Sequence, residues 1–342
     1  MPQPFPHVPP PGVWVPAVTC FTPDDELDLA AQTKYFAHLS RSRLAGLVIG
    51  GTNSEAMLLT RRERAQLVAA ARAAAGPALP IMAGVGAHST KQTLLLARDA
   101  AAAGANYLLV LPPAYPGRAA TTPAVVQRFY AHLASRAPLP VVIYNFPGVC
   151  NGVDLDSDAI TEIVRRSAAA SPAGVSNVVG VKLTCGSVGK ITRLAAQHRP
   201  GDFAVFGGQA DFLVGGLAAG SAGCVAAFAN VFPRLTAEIY RLWGEGRADE
   251  ALRLQRVAAL AERPCKAGLA STKYAVAVYS AALAGIERAE ELFRPRHPYD
   301  EAGDAAKAAV RELMAEAARL EEELQGLGGS SSAALGGGEG RD

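Results

Sequence analysis

A closed (β/α)8 barrel with a C-terminal helical extension is the architecture this chain predicts. The first observation is alternation: between residues 14 and 230, short apolar runs rich in Val, Ile and Leu trade places with longer amphipathic, Ala-rich stretches. The second is that the apolar runs are continuous, the pattern of strands buried on both faces of a parallel sheet. The third is their number, eight, which closes such a sheet into a TIM barrel. A doubly wound open sheet is the competing α/β arrangement.

The predicted strands are Trp14–Phe21, Gly46–Gly51, Pro80–Gly86, Asn106–Pro112, Pro140–Phe146, Val178–Thr184, Phe203–Gly208 and Gly223–Asn230. Thr60 stands three residues before Glu63, a capping-box spacing, and the helix it starts is stopped by Gly76-Pro77. Asp156 caps a helix through Ile160 and Ile163, and 167–177 reads as a loop inserted ahead of the sixth strand. Beyond residue 230 the pattern is helical as far as residue 325. The predicted organisation is therefore a Pro-rich arm over 1–12, a catalytic barrel over 13–232, a helical region over 233–325 packed on the barrel, and a Gly/Ser tail over 326–342. Arm and tail carry too little apolar surface to offset chain entropy, so both are expected to be disordered.

Composition narrows the function. Half of the 342 residues are hydrophobic and 19% are charged, which is ample for one sizeable core. The net charge of +2 is the small difference between 33 basic and 31 acidic residues, with no basic stripe, and argues against a nucleic-acid partner. Gly and Pro interrupt every apolar run before it reaches the roughly 20 residues that span a bilayer, so no membrane partner is expected. Five Cys (20, 150, 185, 224, 265) form no CxxC, and six His (7, 38, 88, 132, 198, 297) lack ligand spacing, so neither a disulfide framework nor a metal site is expected. The leading MPQPFPHVPPPG holds no Lys or Arg, unlike an Arg-rich mitochondrial leader, and no signal-peptide apolar region follows; the expected location is the cytoplasm.

The chemistry starts from Lys182. Of seven Lys (34, 91, 182, 190, 266, 273, 307), it alone stands in a strand-like apolar run, Val178-Val179-Gly180-Val181-Lys182-Leu183-Thr184. A buried ammonium must be paired or lose its proton, and a desolvated amine is a nucleophile suited to forming a Schiff base with a ketone or aldehyde. The competing reading is a strand-end lysine that snorkels to water.

Barrel sites lie at the C-terminal ends of the strands, and here those ends carry complementary groups. Strand two ends in Gly50-Gly51-Thr52-Asn53-Ser54-Glu55, strand four in Leu111-Pro112-Pro113, strand five in Tyr144-Asn145-Phe146-Pro147 and strand six in Lys182-Leu183-Thr184. A Schiff-base lyase requires an amine nucleophile, a proton shuttle and donors that hold the substrate carboxylate. Lys182 supplies the first and the Tyr144 phenol the second; Thr52 and Asn53, with nearby backbone N–H groups, supply the third. Each has a plainer reading: Tyr144 as a core-edge aromatic, Gly50–Asn53 as a strand-to-helix turn, Glu55 as a helix-start residue favoured by the dipole. Gly84-Val85-Gly86 and Gly207-Gly208 also leave a phosphate-binding barrel open.

The motifs GTNSEA from Gly51, YNFPG from Tyr144 and GVKLT from Gly180 resemble, in order and placement, the pyruvate-dependent class I aldolases, the family of dihydrodipicolinate synthase and N-acetylneuraminate lyase. The resemblance covers residues 12–300. It implies that Lys182 is the Schiff-base lysine, Tyr144 the proton-relay tyrosine, and Thr52 and Asn53 the pair that binds the pyruvyl carboxylate, with Thr52 supporting the relay. It further implies a hydroxyl role for Thr184, a pyruvyl-pocket wall at Gly207 and Gly208, no metal or bound cofactor, a small 2-keto acid as partner, and a homodimer or homotetramer.

Departures from the family pattern refine the substrate. The Arg that follows the tyrosine motif in dihydrodipicolinate synthases is absent from Gly148-Val149-Cys150-Asn151, Ser54 replaces a family glycine, and the second relay tyrosine is displaced to Tyr115. A neutral, hydroxylated aldehyde held by Asn145, Asn151 and Thr184 is therefore expected. The phrases 142–152 and 181–186 are similar to the fungal branch that cleaves L-threo-3-deoxy-hex-2-ulosonate to pyruvate and L-glyceraldehyde. The alternative is 4-hydroxy-2-oxoglutarate, cleaved to pyruvate and glyoxylate, with Arg118 reaching the second carboxylate. An alternative of another class is a non-catalytic barrel that binds a keto acid.

Overall fold

The computed structural model describes residues 7–333, in which eight parallel strands close into a barrel in sequence order. The strands are β1 Gly12–Pro16, β2 Gly46–Ile49, β3 Ile81–Gly84, β4 Tyr107–Val110, β5 Val141–Asn145, β6 Val178–Leu183, β7 Ala204–Gly207 and β8 Gly223–Val225. Closure comes from β1 pairing with β8, Gly12 opposite Gly223, which rules out the open sheet. Between and after the strands run α1 Leu29–Ser40, α2 Arg61–Ala75, α3 Thr90–Ala102, α4 Pro123–Ala134, α5 Ser157–Ala169, α6 Val188–Gln197, α7 Leu213–Ala218 and α8 Pro233–Gly244. The C-terminal region adds α9 Ala248–Ala261, α10 Arg263–Ala267, α11 Leu269–Tyr279, α12 Ala289–Leu292 and α13 Asp304–Ala333.

The helix signals act as the spacing predicts. Thr60 Oγ1 accepts from the Glu63 N–H at 3.3 Å while Glu63 accepts from the Thr60 N–H at 2.7 Å, and Asp156 accepts from the Ala159 N–H at 2.7 Å. Side chains alternate across the sheet with period two, giving two cores. Trp14, Val48, Met82, Leu109, Val142, Tyr144 and Phe206 fill the barrel interior, while Val13, Leu47, Ile81, Leu108 and Ile143 face the helices. Trp14 sets the floor of the interior, edge-on to Tyr107 and Phe206 at 6.0 and 6.3 Å between ring centroids. A Cβ on Gly46 would lie 2.3 Å from that indole, so the neighbouring strand accepts only glycine there.

Three expectations change. The strands stop earlier than their apolar runs. Past β1 the Val18 and Cys20 N–H groups donate to Asn230 Oδ1 (3.1 Å) and Gln32 Oε1 (2.7 Å) instead of a strand neighbour, and β8 gives way to a 3-10 turn, Ala227–Asn230. From His7 onward the Pro-rich arm is packed, not free. Pro9 is buried, Val8 lies against the interior core, and Pro10 accepts the Trp14 indole N–H at 3.1 Å, a partner that a buried indole requires. Helix α13 continues to Ala333, into the predicted tail, because extending a helix already seated through Val310, Met314 and Ala317 adds a hydrogen bond per residue without a new nucleus. Residues 1–6 and 334–342, the remainder of arm and tail, lie outside the described residues. Among the described residues no helix is long and apolar enough to cross a membrane.

Candidate active site

The uppermost inward positions of neighbouring strands β5 and β6 are Tyr144 and Lys182, which are register partners; Lys182 also pairs with Phe206 of β7. Lys182 is only 4% exposed, and its Nζ lies over the Tyr144 ring, 4.2 Å from the centroid. Three lysines of the described chain are buried. Lys190 is bonded to Asp154 at 2.7 Å and Lys273 to Glu55 at 2.6 Å, whereas no carboxylate of the described residues pairs with Lys182.

The Tyr144 hydroxyl stands 3.3 Å from Thr52 Oγ1, and its ring stacks on Phe146 with centroids 5.8 Å apart. Thr52 opens the 3-10 turn Thr52–Ser54 after β2. Ser54 anchors this turn to β1, its hydroxyl donating to the Ala17 carbonyl at 2.6 Å and accepting the Gly50 N–H at 3.0 Å. The serine that replaces the family glycine is thus a buried strut. Tyr144 and Thr52 line a cavity of about 460 Å³, together with Gly50, Gly51, Gly84 and Leu111 from the strand ends.

The other expected residues divide. Thr184 has a buried hydroxyl with no hydrogen-bond partner in the protein, and its N–H donates to the Asn145 carbonyl at 3.0 Å. Gly208 lies against it; a Cβ there would fall 2.2 Å from Thr184 Oγ1, so the β7 end must be glycine for Thr184 to sit there. Gly207 is buried beside it, and Asn53 is half-buried next to Thr52.

Asn145, Asn151, Tyr115 and Arg118 do not take the places expected of them. Asn145 follows inward-facing Tyr144 by one residue, so it points outward; its side chain is fully buried, donating to Asp154 at 2.7 Å and accepting the Leu155 N–H at 2.9 Å. Asn151, at φ +48°, donates to the Ala114 carbonyl at 2.8 Å and ties two loops together. Tyr115 is 80% exposed beside His88 and is not part of the cavity wall. Arg118 lines a separate groove near Asp154 and Asp156 outside the barrel mouth.

The opposite cavity wall was not anticipated. Gly268, Leu269 and Ala270 at the start of α11, and Pro295, Tyr299 and Asp300 ahead of α13, complete it. Glu55, expected to favour a helix start, instead adopts φ +57° and turns its carboxylate inward to Lys273 and to the Arg296 N–H, at 2.6 and 2.7 Å. Lys273 carried a legible signal, since it is the one charged residue of Leu269–Tyr279 and stands just before the apolar run Ala275–Val278.

Electrostatics around the β7 end are set by burial. Glu262 accepts the Ala210 and Asp211 N–H groups at 3.0 and 2.6 Å, and burial pushes its carboxyl up to about 7. Burial likewise raises the Cys224 thiol on β8. Among the described residues, no group of three or more His, Cys, Asp or Glu could hold a metal ion.

Known proteins resemble this chain over most of its length. The model of the dihydrodipicolinate synthetase family matches residues 9–316. A mitochondrial protein of Coccidioides immitis named as a 4-hydroxy-2-oxoglutarate aldolase is 62% identical over 317 residues, 92% of this chain and 98% of its own. An L-threo-3-deoxy-hexylosonate aldolase of Hypocrea jecorina is 34% identical over 326 residues, with the same two coverages. The crystal structure of a dihydrodipicolinate synthase family protein from Coccidioides immitis superposes with a TM-score of 0.85 at 59% identity, covering 93% of this chain and 98% of that one. The chain therefore belongs to the dihydrodipicolinate synthetase family of pyruvate-dependent lyases.

Proposed function

We propose that this aldolase cleaves 4-hydroxy-2-oxoglutarate to pyruvate and glyoxylate through a Schiff base on Lys182. The observation that carries the chemistry is a buried lysine without a carboxylate partner, set over a tyrosine whose hydroxyl meets a threonine at the cavity. The substrate rests on the relative at 62% identity. The first expectation, a sugar acid, gives way because the hexylosonate aldolase stands at 34%.

Lys182 Nζ attacks C2 of the keto acid, and loss of water, its proton moved by Tyr144 and Thr52, leaves an iminium. The substrate C4 hydroxyl gives its proton to the same relay as the C3–C4 pair flows into the iminium, releasing glyoxylate and leaving an enamine. Protonation at C3 and hydrolysis free pyruvate and restore the amine. Backbone N–H groups at Gly51–Asn53 and the unpartnered Thr184 hydroxyl suit the pyruvyl carboxylate and keto-acid oxygens. No metal or bound cofactor enters this scheme.

A second reading, the L-threo-3-deoxy-hex-2-ulosonate, is favoured by one feature: among the described residues the charged side chains lining the cavity are the acidic Glu55 and Asp300, with no guanidinium to meet a second carboxylate. Borohydride reduction with and without pyruvate, followed by peptide mapping, tests the class: a pyruvate-dependent adduct on Lys182 is expected, and none in a folded protein overturns it. Pyruvate release from the two substrates at equal concentration then chooses between them, and turnover of either excludes the non-catalytic barrel. The relative's name places it in mitochondria. Fractionation of a C-terminally tagged protein decides between that compartment and the cytoplasm. For assembly, the family resemblance suggests a homodimer or homotetramer, tested by sedimentation.

A further inference from the structure

The buried ion pair between Lys273 and Glu55 joins two parts of the molecule that are far apart in sequence. Lys273, on α11, is 0% exposed; its Nζ donates to Glu55 Oε1 and to the Arg294 carbonyl, each at 2.6 Å, and stands over the Phe21 ring at 4.7 Å. Glu55 is the residue that ends the Thr52–Ser54 turn, and its second oxygen accepts the Arg296 N–H. Arg296 extends the network, bonding Glu63 at 2.8 Å and the Leu58 carbonyl at 3.1 Å. Neighbouring residues of the same two stretches, Gly268, Leu269 and Ala270 and then Pro295, Tyr299 and Asp300, line the cavity with Tyr144. Both partners of the Glu55 carboxylate therefore come from the C-terminal region, while the Ser54 hydroxyl is held by Ala17 just past β1. The Thr52 hydroxyl, three residues from Glu55 and 3.3 Å from the Tyr144 hydroxyl, sits on a turn clamped from both sides.

Stability alone is a weak account of this pair. Two well-packed apolar groups of similar volume would serve a core as well or better, because desolvating both charges offsets most of their attraction. What the pair supplies that apolar groups do not is direction: a carboxylate with two fixed donors holds a left-handed, non-glycine residue in one orientation. We propose that Lys273 and Glu55 are positioning residues, whose ion pair ties the Thr52 turn to the C-terminal cavity wall and thereby sets the Thr52 hydroxyl against Tyr144. The proposal rests on the Schiff-base reading above, in which that hydroxyl serves the proton relay.

The test is a double-mutant cycle between Lys273→Met and Thr52→Val, read in kcat, in KM and in borohydride trapping of pyruvate on Lys182. Losing one directed hydrogen bond in the relay corresponds to about tenfold in kcat, so each single variant is expected to lose about that factor with trapping retained. Because Lys273 acts through Thr52, the double variant loses no more than either single one. Should Lys273→Met not fold, the pair Glu55→Gln with Lys273→Met removes both charges together and takes its place in the cycle. Multiplying losses in the double variant, or a Lys273→Met enzyme with wild-type kcat, overturns the proposal while leaving the Schiff base intact. Absence of a Lys182 adduct in the unmodified protein defeats the underlying reading instead, and so separates the two failures.

Discussion

Glu262→Gln should change how stability depends on pH, and the size of the change follows from the structure. Glu262 is 2% exposed, held by the Ala210 and Asp211 N–H groups ahead of α7. Burial raises its carboxyl from an ordinary value of 4.5 to about 7, against the opposing pull of the Ala210 N–H. The native state thus binds a proton that the unfolded chain releases between these values. Its contribution is complete below pH 4.5 and is lost as pH rises through about 7. At about 1.4 kcal/mol per pH unit, the loss comes to about 3 kcal/mol, undiminished by solvent because the group is enclosed. His38 runs the other way. Burial, then Arg234 and Arg41, lowers it to about 4, so its contribution is present above its ordinary value and lost as pH falls through about 4. Since His38 is common to both proteins, it cancels in the difference. Urea titrations of wild type and variant across this range should show the wild type losing about 3 kcal/mol relative to Glu262→Gln as pH rises. A difference that stays flat with pH refutes the argument that burial, not the two N–H donors, governs this carboxyl.

Other changes bear on the site. Tyr144→Phe should lower kcat by about 10²–10⁴, the usual contribution of a positioned acid–base group, while pyruvate still becomes trapped on Lys182; stopped-flow cleavage with mass analysis checks both. Arg118→Ala should leave kcat/KM for 4-hydroxy-2-oxoglutarate within about twofold, since the side chain lines a groove outside the cavity; a tenfold loss would bring Arg118 back as the second-carboxylate ligand. Gly208→Ala places a Cβ 2.2 Å from Thr184 Oγ1, so it should raise KM for the keto acid and cost about 1–3 kcal/mol of stability, read by steady-state kinetics and denaturant midpoints.

The barrel was legible because its strands are buried on both faces and its helices carry explicit caps, so local pattern and closed topology agree. The placement of Lys182, Tyr144 and Thr52 together was legible for the same reason: each lies at or just past the end of an apolar run, at the mouth of the barrel. Asn145 and Asn151 were misplaced because residue type at a strand end says nothing of facing. One step along β5 turns Asn145 from the cavity to the helices, where it satisfies Asp154 and Leu155. The C-terminal wall was not legible at all. Pro295, Tyr299 and Asp300 reach the cavity through packing of α11 to α13 on the barrel, a long-range arrangement that no spacing within residues 233–325 encodes.

The three buried lysines show how one physical cost is met in different ways. Lys190 and Lys273 each carry a carboxylate at hydrogen-bond distance, and both connect loops: Lys190 holds Asp154, itself bonded to Asn145 below the β5 loop, and Lys273 holds the Thr52 turn. Lys182 has the Tyr144 ring instead, which attracts a cation without forming a charge pair and leaves the amine lone pair free once the proton departs. A carboxylate at Lys182 would hold the ammonium form and suppress attack on a carbonyl. Introducing one is therefore informative: Phe206→Glu, at the register partner of Lys182 on β7, should abolish pyruvate trapping near neutral pH and restore part of it at alkaline pH. Phe206→Gln, equally polar but uncharged, separates the electrostatic effect from lost packing. If both variants remain folded and trap pyruvate alike at every pH, the absence of a paired carboxylate is not what would suit Lys182 to attack a carbonyl.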